Sequence, residues 1–355
     1  MGHGIRQISQ EAAITLVAVA LLTSLILLIA GAPPLAVIKA LYQGSLGSWV
    51  KFGHVLKAWI PLTLCGCGLL FTFRIGLWNI GVEGQVMMGA VFATGLLRLG
   101  LDSNFPALFM ALSFAAAAAG GGLWALAAGL LKTRGGVNEI FAGLGMNFVA
   151  QALILWLIFG PWRRPGVASM SGTELFPRYL WLSSSPALRL SPVSLIMVLA
   201  AIAITAFLLR YTRVGLCLKA IGSNSRAAIL FGLSPERYLL LAMLLAGGFA
   251  GMAGSLQVSG IYHRLLPAIS SNYGYLALLV VMLADYNIWL VPPVAFFFAC
   301  LNIGSIQLPM VLNLDSSLSG VIQGTMVLAT LGLHAMRIRR AAAGRKNVED
   351  TAHEV

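Results

Sequence analysis

The sequence is poor in charged residues. Of its 355 residues, 10% are Asp, Glu, Lys or Arg, whereas 59% are hydrophobic and the mean hydropathy is +0.89. Soluble domains carry about a quarter charged residues, so most of this protein's surface must face lipid rather than water. At roughly 20 apolar residues per span, the length allows about ten spans joined by short loops. The composition therefore predicts an all-α, polytopic membrane helix bundle and excludes a large separate soluble domain.

Residues that build catalytic and metal sites are also scarce. The four cysteines have neither a second Cys pair nor a nearby His, and the five histidines show no ligand spacing. Three motifs of soluble enzymes are absent: the Gly-x-x-x-x-Gly-Lys-[Ser/Thr] loop, His-Glu-x-x-His and Gly-x-Ser-x-Gly. We therefore predict no catalytic residue, no metal and no cofactor in this chain. If ATP drives its activity, another chain must bind the ATP.

Apolar runs predict ten spans within a single transmembrane domain, 1–340, followed by a disordered tail, 341–355. The spans lie near 12–31, 57–73, 85–100, 106–131, 139–160, 192–209, 239–260, 274–285, 288–308 and 319–336. The 274–285 run is too short to cross a bilayer alone, so it is either half of a broken helix or a tight hairpin with the next run. Residues 34–57 have the pattern of an amphipathic helix at the outer interface.

Basic residues predict the orientation of the bundle. Clusters at 132–134, 210–237 and 337–346 fall on one side, which the positive-inside rule makes cytoplasmic, together with both termini. This distribution accounts for the net charge of +12 without a nucleic-acid partner. Two groups of basic residues run against the rule by falling outside. They are Lys39, Lys51 and Lys57, and Arg163, Arg164, Arg178 and Arg189 of the loop 161–191, which we predict to form a small external cap.

Three of the eleven acidic residues, Glu83, Glu139 and Asp285, lie at or near membrane depth, where a carboxylate is costly. Glu83 follows a glycine-rich stretch typical of a broken helix or re-entrant turn. Its carboxylate either braces the bent backbone in a polar network with Arg74, Asn79 and Gln85, or contacts cargo. Asp285 lies between two apolar runs, where the pattern favours a solvated cytoplasmic turn.

A second polar pattern lies in the fifth run. Glu139, Asn147 and Gln151 recur at helical spacing, so they share one face of the helix, and Asn138 precedes them. A polar stripe in an apolar helix faces the interior of a bundle. It either lines a pathway or bonds to a neighbouring helix.

Several stretches resemble the permeases of bacterial ABC importers for nucleosides and simple sugars, within the ribose and branched-chain amino acid permease family. LWNIGVEGQ at 77–85 is similar to the family's F-N-I-G-V-E-G-Q segment, and GGVNEI at 135–140 with MNF at 146–148 is similar to its G-x-N-E-V…M-L-N-Y segment. TRVGLCLKAIGSNSRAA at 212–228, continuing to FGL, resembles the family's cytoplasmic coupling loop.

The sequence departs from the family pattern at three places. Lys219 replaces a more usual Arg, and ADYN at 284–287 stands where the family has a Gly-Arg-containing turn. Residues 169–185 match no family segment.

The resemblance implies a type II-like importer permease with broken or re-entrant helices. It implies an ATPase partner that binds ATP and Mg²⁺, a second permease subunit that is either a related chain or a second copy, and a periplasmic or lipid-anchored binding protein. It implies a multi-pass protein of the bacterial inner membrane. The residues implied in the substrate pathway are Trp78, Asn79, Glu83, Gln85, Asn138, Glu139 and Asn147. Those implied in ATPase coupling, within the loop 211–238, are Lys219, Ala220, Gly222, Asn224, Arg226, Ala227, Ala228 and Gly232.

A nucleoside is the first expectation for the cargo, with a simple sugar or a riboflavin-like vitamin as alternatives. A mechanism from another class is ion-coupled secondary transport, with Glu83 or Asp285 as the proton site.

Overall fold

The computed structural model describes residues 21, 24–25, 27–28, 31–166, 172–186, 188–312, 320–321, 324–325 and 328. The predicted spans 12–31 and 319–336 lie largely outside these residues, and the predicted tail 341–355 lies wholly outside them. The α-helices are α1 (Pro34–Ser45), α2 (Trp49–Arg74), α3 (Val82–Leu99), α4 (Pro106–Thr133), α5 (Glu139–Phe159), α6 (Pro192–Tyr211), α7 (Arg213–Ser223), α8 (Ser225–Leu230), α9 (Pro235–Leu256), α10 (Tyr273–Leu283), α11 (Val291–Gly304) and α12 (Leu308–Leu312).

The described residues contain helices and no strands, which confirms the all-α class. Six helical stretches among them are long and apolar enough to cross a membrane. They are Trp49–Arg74, Pro106–Thr133, Glu139–Phe159, Pro192–Tyr211, Pro235–Tyr262 and Val291–Leu312. The fifth stretch is long because α9 continues into a π-helical turn, Gln257–Tyr262.

One prediction for a shorter element needs correction. Residues 34–57 do not form one amphipathic helix, because α1 ends at Ser45 and α2 begins at Trp49. The loop 211–238 contains two helices, α7 and α8, and Asn224 between them starts the cap of α8.

Glycines bring four helices into close contact in the compact unit formed by Trp49–Ala299. A Cβ on Gly89 of α3 would collide with the backbone of Gly251 in α9, and one on Gly121 of α4 would collide with Gly247 of α9. Gly68 of α2 lies equally close to Ala246. Small residues let helix backbones approach closely where no hydrophobic effect drives association within lipid. The glycines therefore hold α2, α3 and α4 around α9.

The remaining described residues belong to a second compact unit, formed from Met1–Ser48 and Cys300–Val355. Here Gly44 of α1 packs on Gly304, where an added Cβ would lie 2.6 Å from the Gly304 carbonyl oxygen. Val37, Ala40 and Leu308 form part of its small buried core.

The short helix α10 is the element that departs most from a simple bundle. Its 11 residues are too few to cross a bilayer. After Leu283 the chain reverses through Asp285 and Tyr286, both with left-handed backbone angles, and α11 begins at Val291. The Tyr286 ring lies 5.2 Å from that of Phe73, near the end of α2. The turn at 284–287, which we call the tip, therefore lies beside the end of α2, and α10 starts inside the bundle.

Candidate functional site

A broken connection between α2 and α3 supplies most of the predicted pathway residues. Helix α2 ends in a Schellman motif, in which Gly76 N–H donates to Phe73 and Leu77 N–H donates to Thr72. Gly76 has φ +82°, a left-handed angle that glycine adopts without strain. The chain then runs without regular structure until α3 begins at Val82.

Two side-chain amides fold this connection back on itself. Asn79 donates to Gln85 at 3.1 Å, and Gln85 donates to Asn79 at 2.9 Å. Both side chains are buried. Each amide thereby satisfies the other's donor and acceptor away from water, which is what a buried polar group requires. The predicted network therefore exists for Asn79 and Gln85.

Glu83 connects α3 to the start of α10. Its side chain is only 2% exposed, and its Oε2 accepts a hydrogen bond from Gly274 N–H at 2.8 Å. The Ser270 hydroxyl and the backbone N–H groups of Asn272 and Tyr275 also lie near this carboxylate, but its Oε1 makes no hydrogen bond to a described residue. The first N–H groups of any helix lack intrahelical partners and carry partial positive charge. Because the preceding residue, Asn272, makes no side-chain cap, Glu83 caps α10 from another helix.

Glycine at position 274 makes this contact possible. A Cβ there would lie 2.6 Å from Glu83 Oε2 and 2.7 Å from Glu83 N, which is closer than real Cβ contacts. The start of α10 is thus pressed against the start of α3, with room for a hydrogen atom only.

Asn147 of α5 joins the same group. Its Oδ1 accepts from Gly84 N–H at 2.8 Å, and its Nδ2 donates to the Ile80 carbonyl and the Tyr275 hydroxyl, both at 3.0 Å. One buried amide therefore links α5, the broken connection, α3 and α10. We call the group Asn79, Glu83, Gln85, Asn147 and Gly274 the junction.

The other predicted pathway residues are not members of the junction. Asn138 is exposed and caps α5 by accepting from Ile140 N–H at 2.9 Å, while Glu139 pairs with Lys132 at 2.5 Å. Trp78 is 40% exposed and packs edge-on against Phe73.

The expected contact between Arg74 and Glu83 is absent from the described part of the chain, where Arg74 Nε is buried without a partner. That interpretation of the network was wrong because Glu83 turns towards α10 instead.

Two residues of this region were not predicted from the sequence. Gly274 opens an apolar run, and nothing in its local pattern indicates a carboxylate partner. Gln257 lies in the π-helical turn, fully buried, with neither amide atom bonded to any described residue. The sequence did contain a signal for Gln257. It is a single polar residue near the end of an apolar run that is longer than one membrane span requires.

The predicted coupling residues occupy two short helices at the end of α2. Thr212 caps α7 by accepting from Gly215 N–H, and Asn224 caps α8 by accepting from Ala227 N–H at 3.0 Å. Gly232, with φ +79°, ends α8 in a second Schellman motif. We call α7, α8 and Phe231, the C-cap residue of α8, the arm. Gly222 fixes it to the bundle, because a Cβ there would collide with the Arg74 carbonyl.

The arm exposes large apolar side chains. Leu230 is 89% exposed and Phe231 is 85% exposed, whereas Ala228 is buried. Lys219, Ala220, Asn224 and Arg226 are exposed, and Ala227 is half-buried. Contiguous exposed apolar residues on a charged surface mark a site of interaction.

Comparison with known proteins identifies the family. The sequence model of one protein family, the permease component of the branched-chain amino acid transport system, matches residues 51–331. The chain belongs to this family. It is therefore a multi-pass membrane protein and a permease subunit of an ABC transporter.

Three of the relatives are permeases of ABC transporters. A guanosine permease of Bacillus subtilis is 27% identical, covering 88% of this chain and 90% of its own length. A glucose permease of Haloferax volcanii is 29% identical over 83% of this chain and 80% of its own. A nucleoside permease of Lactococcus lactis is 24% identical over 81% and 79%. No solved structure matches this chain.

Proposed function

We propose that this permease carries a nucleoside inwards across the bacterial inner membrane, driven by ATP hydrolysis in a partner ATPase. The observation that carries this proposal is the arm, which presents Leu230 and Phe231 to solvent on two capped helices anchored to the transmembrane bundle. An arm of this kind fits a groove on a soluble partner. ATP and Mg²⁺ belong to that partner, and no cofactor belongs to this chain.

The anchoring of the arm supplies a route from the ATPase to the junction. Gly222 packs against the Arg74 carbonyl at the end of α2, and the seven residues 75–81 connect α2 to α3. A displacement of the arm moves the end of α2 and strains this short connection. The junction at its far end holds α3, α5 and α10 together, so the strain reaches the helices that open or close a pathway.

Two exposed aromatic rings beside the junction are suited to a nucleoside base. Trp78 is 40% exposed, and Tyr275 is 37% exposed while its hydroxyl is held by Asn147. Aromatic rings stack on bases of any identity. We assign to these two rings the contact with cargo, and to Asn79, Glu83, Gln85 and Asn147 the positioning of the pathway wall. Asn138 and Glu139 fix the start of α5, away from the wall.

Orientation and further partners complete the proposal. We place the arm and both termini in the cytoplasm, because basic residues concentrate there. A binding protein delivers cargo to the opposite face, and a second permease, either a related chain or another copy, completes the transmembrane pathway.

The test is transport by proteoliposomes that contain this chain, its second permease, the ATPase and the binding protein. We expect guanosine uptake that requires ATP, and no uptake when Leu230 and Phe231 are replaced by serine. ATP-driven uptake of glucose or riboflavin instead would keep the importer and replace the cargo. Uptake by this chain alone under a proton gradient would contradict the hypothesis of an ATP-driven importer.

A further inference from the structure

Two basic residues that run against the charge rule lie together at the end of α2 opposite the arm. Lys57 is in the third turn of α2, and Arg189 lies just before α6. A Cβ on Gly53 would collide with the Leu188 carbonyl, so glycine lets the segment before α6 rest directly on α2. This contact fixes Arg189 close enough to repel the charges of Lys57 and His54.

No acidic group neutralises this cluster within the part of the chain that the structure describes. The ion pairs there join Lys132 to Glu139 and Arg134 to Glu236. Lys57 and Arg189 have no carboxylate partner among those residues. Like charges held together in a partly buried place favour the binding of an anion between them.

A cleft beside Lys57 supplies uncharged hydrogen-bonding groups. It is small, with about 20 Å³ open to the centre of a water molecule, and lies between α2, the start of α6 and the π-helical end of α9. Ser191 lines the cleft as the residue that precedes α6, yet its hydroxyl does not cap that helix. Ser191 is only 6% exposed, and its Oγ has no partner among the described residues. A buried hydroxyl without a partner costs free energy unless a ligand bonds to it.

The N-terminus of α6 adds a positive electrostatic potential to that of the basic residues. This helix has 20 residues, and its first turn carries no acidic side chain. Its N–H groups therefore present an uncompensated positive end beside Ser191, an arrangement that binds oxyanions in many proteins. Lys57, the free hydroxyl and the helix end converge on one small cleft.

We propose that this cleft binds a single phosphate group. Most of the remaining lining is apolar, with Ile60, Pro61, Leu190, Leu256 and Ile261, and Ser194 lines it with a hydroxyl that donates to the Ser191 carbonyl. Apolar walls beside a cationic oxyanion site fit the headgroup and upper acyl chain of an anionic phospholipid in the outer leaflet. Inorganic phosphate has the same recognition chemistry without the acyl chain, so the experiment separates the two sources.

The test uses the full chain purified in detergent. Native mass spectrometry follows a titration with phosphatidylglycerol, and diacylglycerol with the same acyl chains serves as the probe that lacks phosphate. A second arm measures equilibrium binding of inorganic phosphate. We expect one phosphatidylglycerol per chain to bind saturably, with no matching diacylglycerol complex.

The variants decide whether this cleft is responsible. Lys57→Gln should weaken binding about tenfold or more, because it loses a charge-assisted contact, and Ser191→Ala should weaken it a few-fold. Arg189→Gln should also weaken it a few-fold, because it removes a nearby positive charge from outside the cleft. Arg164→Gln, which removes an exposed positive charge elsewhere in the external loop, should leave binding unchanged. Arg189 is exposed, so its replacement tests the proposal even if Lys57→Gln fails to fold.

Each outcome has a defined meaning. Saturable binding of inorganic phosphate alone, weakened by the same variants, keeps the phosphate site and assigns it to the free ion. Absence of saturable binding in both arms overturns the proposal. Binding that the three variants leave unchanged overturns it as well.

Discussion

The junction and the exposed end of the bundle differ in which groups they bury: the junction buries polar groups, and the exposed end leaves apolar groups in contact with solvent. The junction buries a carboxylate and three amides and satisfies Asn79, Gln85 and Asn147 through each other or through backbone groups. The exposed end, consisting of α7, α8 and the tip 284–287, leaves apolar side chains uncovered beside the end of α2. A buried polar group must be paired within the chain, whereas an exposed apolar group must be paired by another molecule. The junction therefore belongs to the fold, and the exposed end belongs to an assembly.

Replacing Glu83 by leucine should have the largest effect on stability. The change leaves Gly274 N–H at the start of α10 without an acceptor and removes a charge-assisted hydrogen bond. We expect a loss of about 3 kcal/mol in the free energy of unfolding, measured by thermal unfolding of the purified chain in detergent. Glu83→Gln, which keeps an oxygen acceptor, should lose about half of this.

A Glu83→Leu protein with unchanged stability but no transport would contradict the comparison. That result would assign the carboxylate to cargo or to a proton rather than to the cap of α10.

Gly274→Ala tests the same contact from the other side. The new methyl group collides with the Glu83 backbone as well as its carboxylate, so the helices must separate. We expect a loss of about 1–3 kcal/mol in the free energy of unfolding. Gly145→Ala is the matched control, because nothing lies within 4 Å of its added Cβ. That variant should be more stable by about 0.5–1 kcal/mol; equal effects at both positions would show that the start of α10 is not tightly packed.

Asn147→Ala removes the amide that links α5 to the junction. Gly84 N–H and the Ile80 carbonyl lose their side-chain partner, and we expect a loss of about 1–2 kcal/mol in the free energy of unfolding. The neighbouring Phe148 points away from the bundle and is exposed. Phe148→Ala should therefore stay within about 0.5 kcal/mol of the natural chain in detergent. A larger loss of stability from Phe148→Ala than from Asn147→Ala would show that Asn147 does not link α5 to the junction.

The sequence predicted the members of the junction better than their contacts. A carboxylate in an otherwise apolar region is visible in composition alone, and helical spacing placed Asn147 on an inward face. The partner of Glu83 is 191 positions away and is a backbone N–H, which no side-chain pattern reveals. The nearest basic residue, Arg74, was the natural partner to choose and was the wrong one. Close backbone approach at a glycine becomes visible only when both helices are placed.

The exposed end was predicted for a different reason. The caps at Thr212 and Asn224 and the glycine at 232 are local signals, because each acts within a few residues of the chain. What the exposed apolar residues bind is not encoded locally at all.

Asp285→Gly should raise stability slightly. Asp285 ends α10 in a Schellman motif with φ +49°, at the position where glycine is usual. Glycine removes the strain of a left-handed side-chain residue, and we expect a gain of about 0.5 kcal/mol in the free energy of unfolding. Asp285→Ala, which keeps a Cβ, should give no gain. Transport should survive in both variants, whereas its loss would favour Asp285 as a proton site.

The smallest effect on stability, and the one that separates the two regions most clearly, belongs to Phe231→Ser. The side chain is almost fully exposed, so the free energy of unfolding should change by less than about 0.5 kcal/mol. ATP-driven uptake should nevertheless fall severalfold, because the ATPase loses an apolar contact that a groove would bury. Arg226→Gln, an exposed polar change on the same helix, is the control and should alter salt dependence more than affinity. If the Phe231→Ser protein unfolds instead, Phe231 stabilises the fold of this chain, and the arm loses its role as the surface that binds the ATPase.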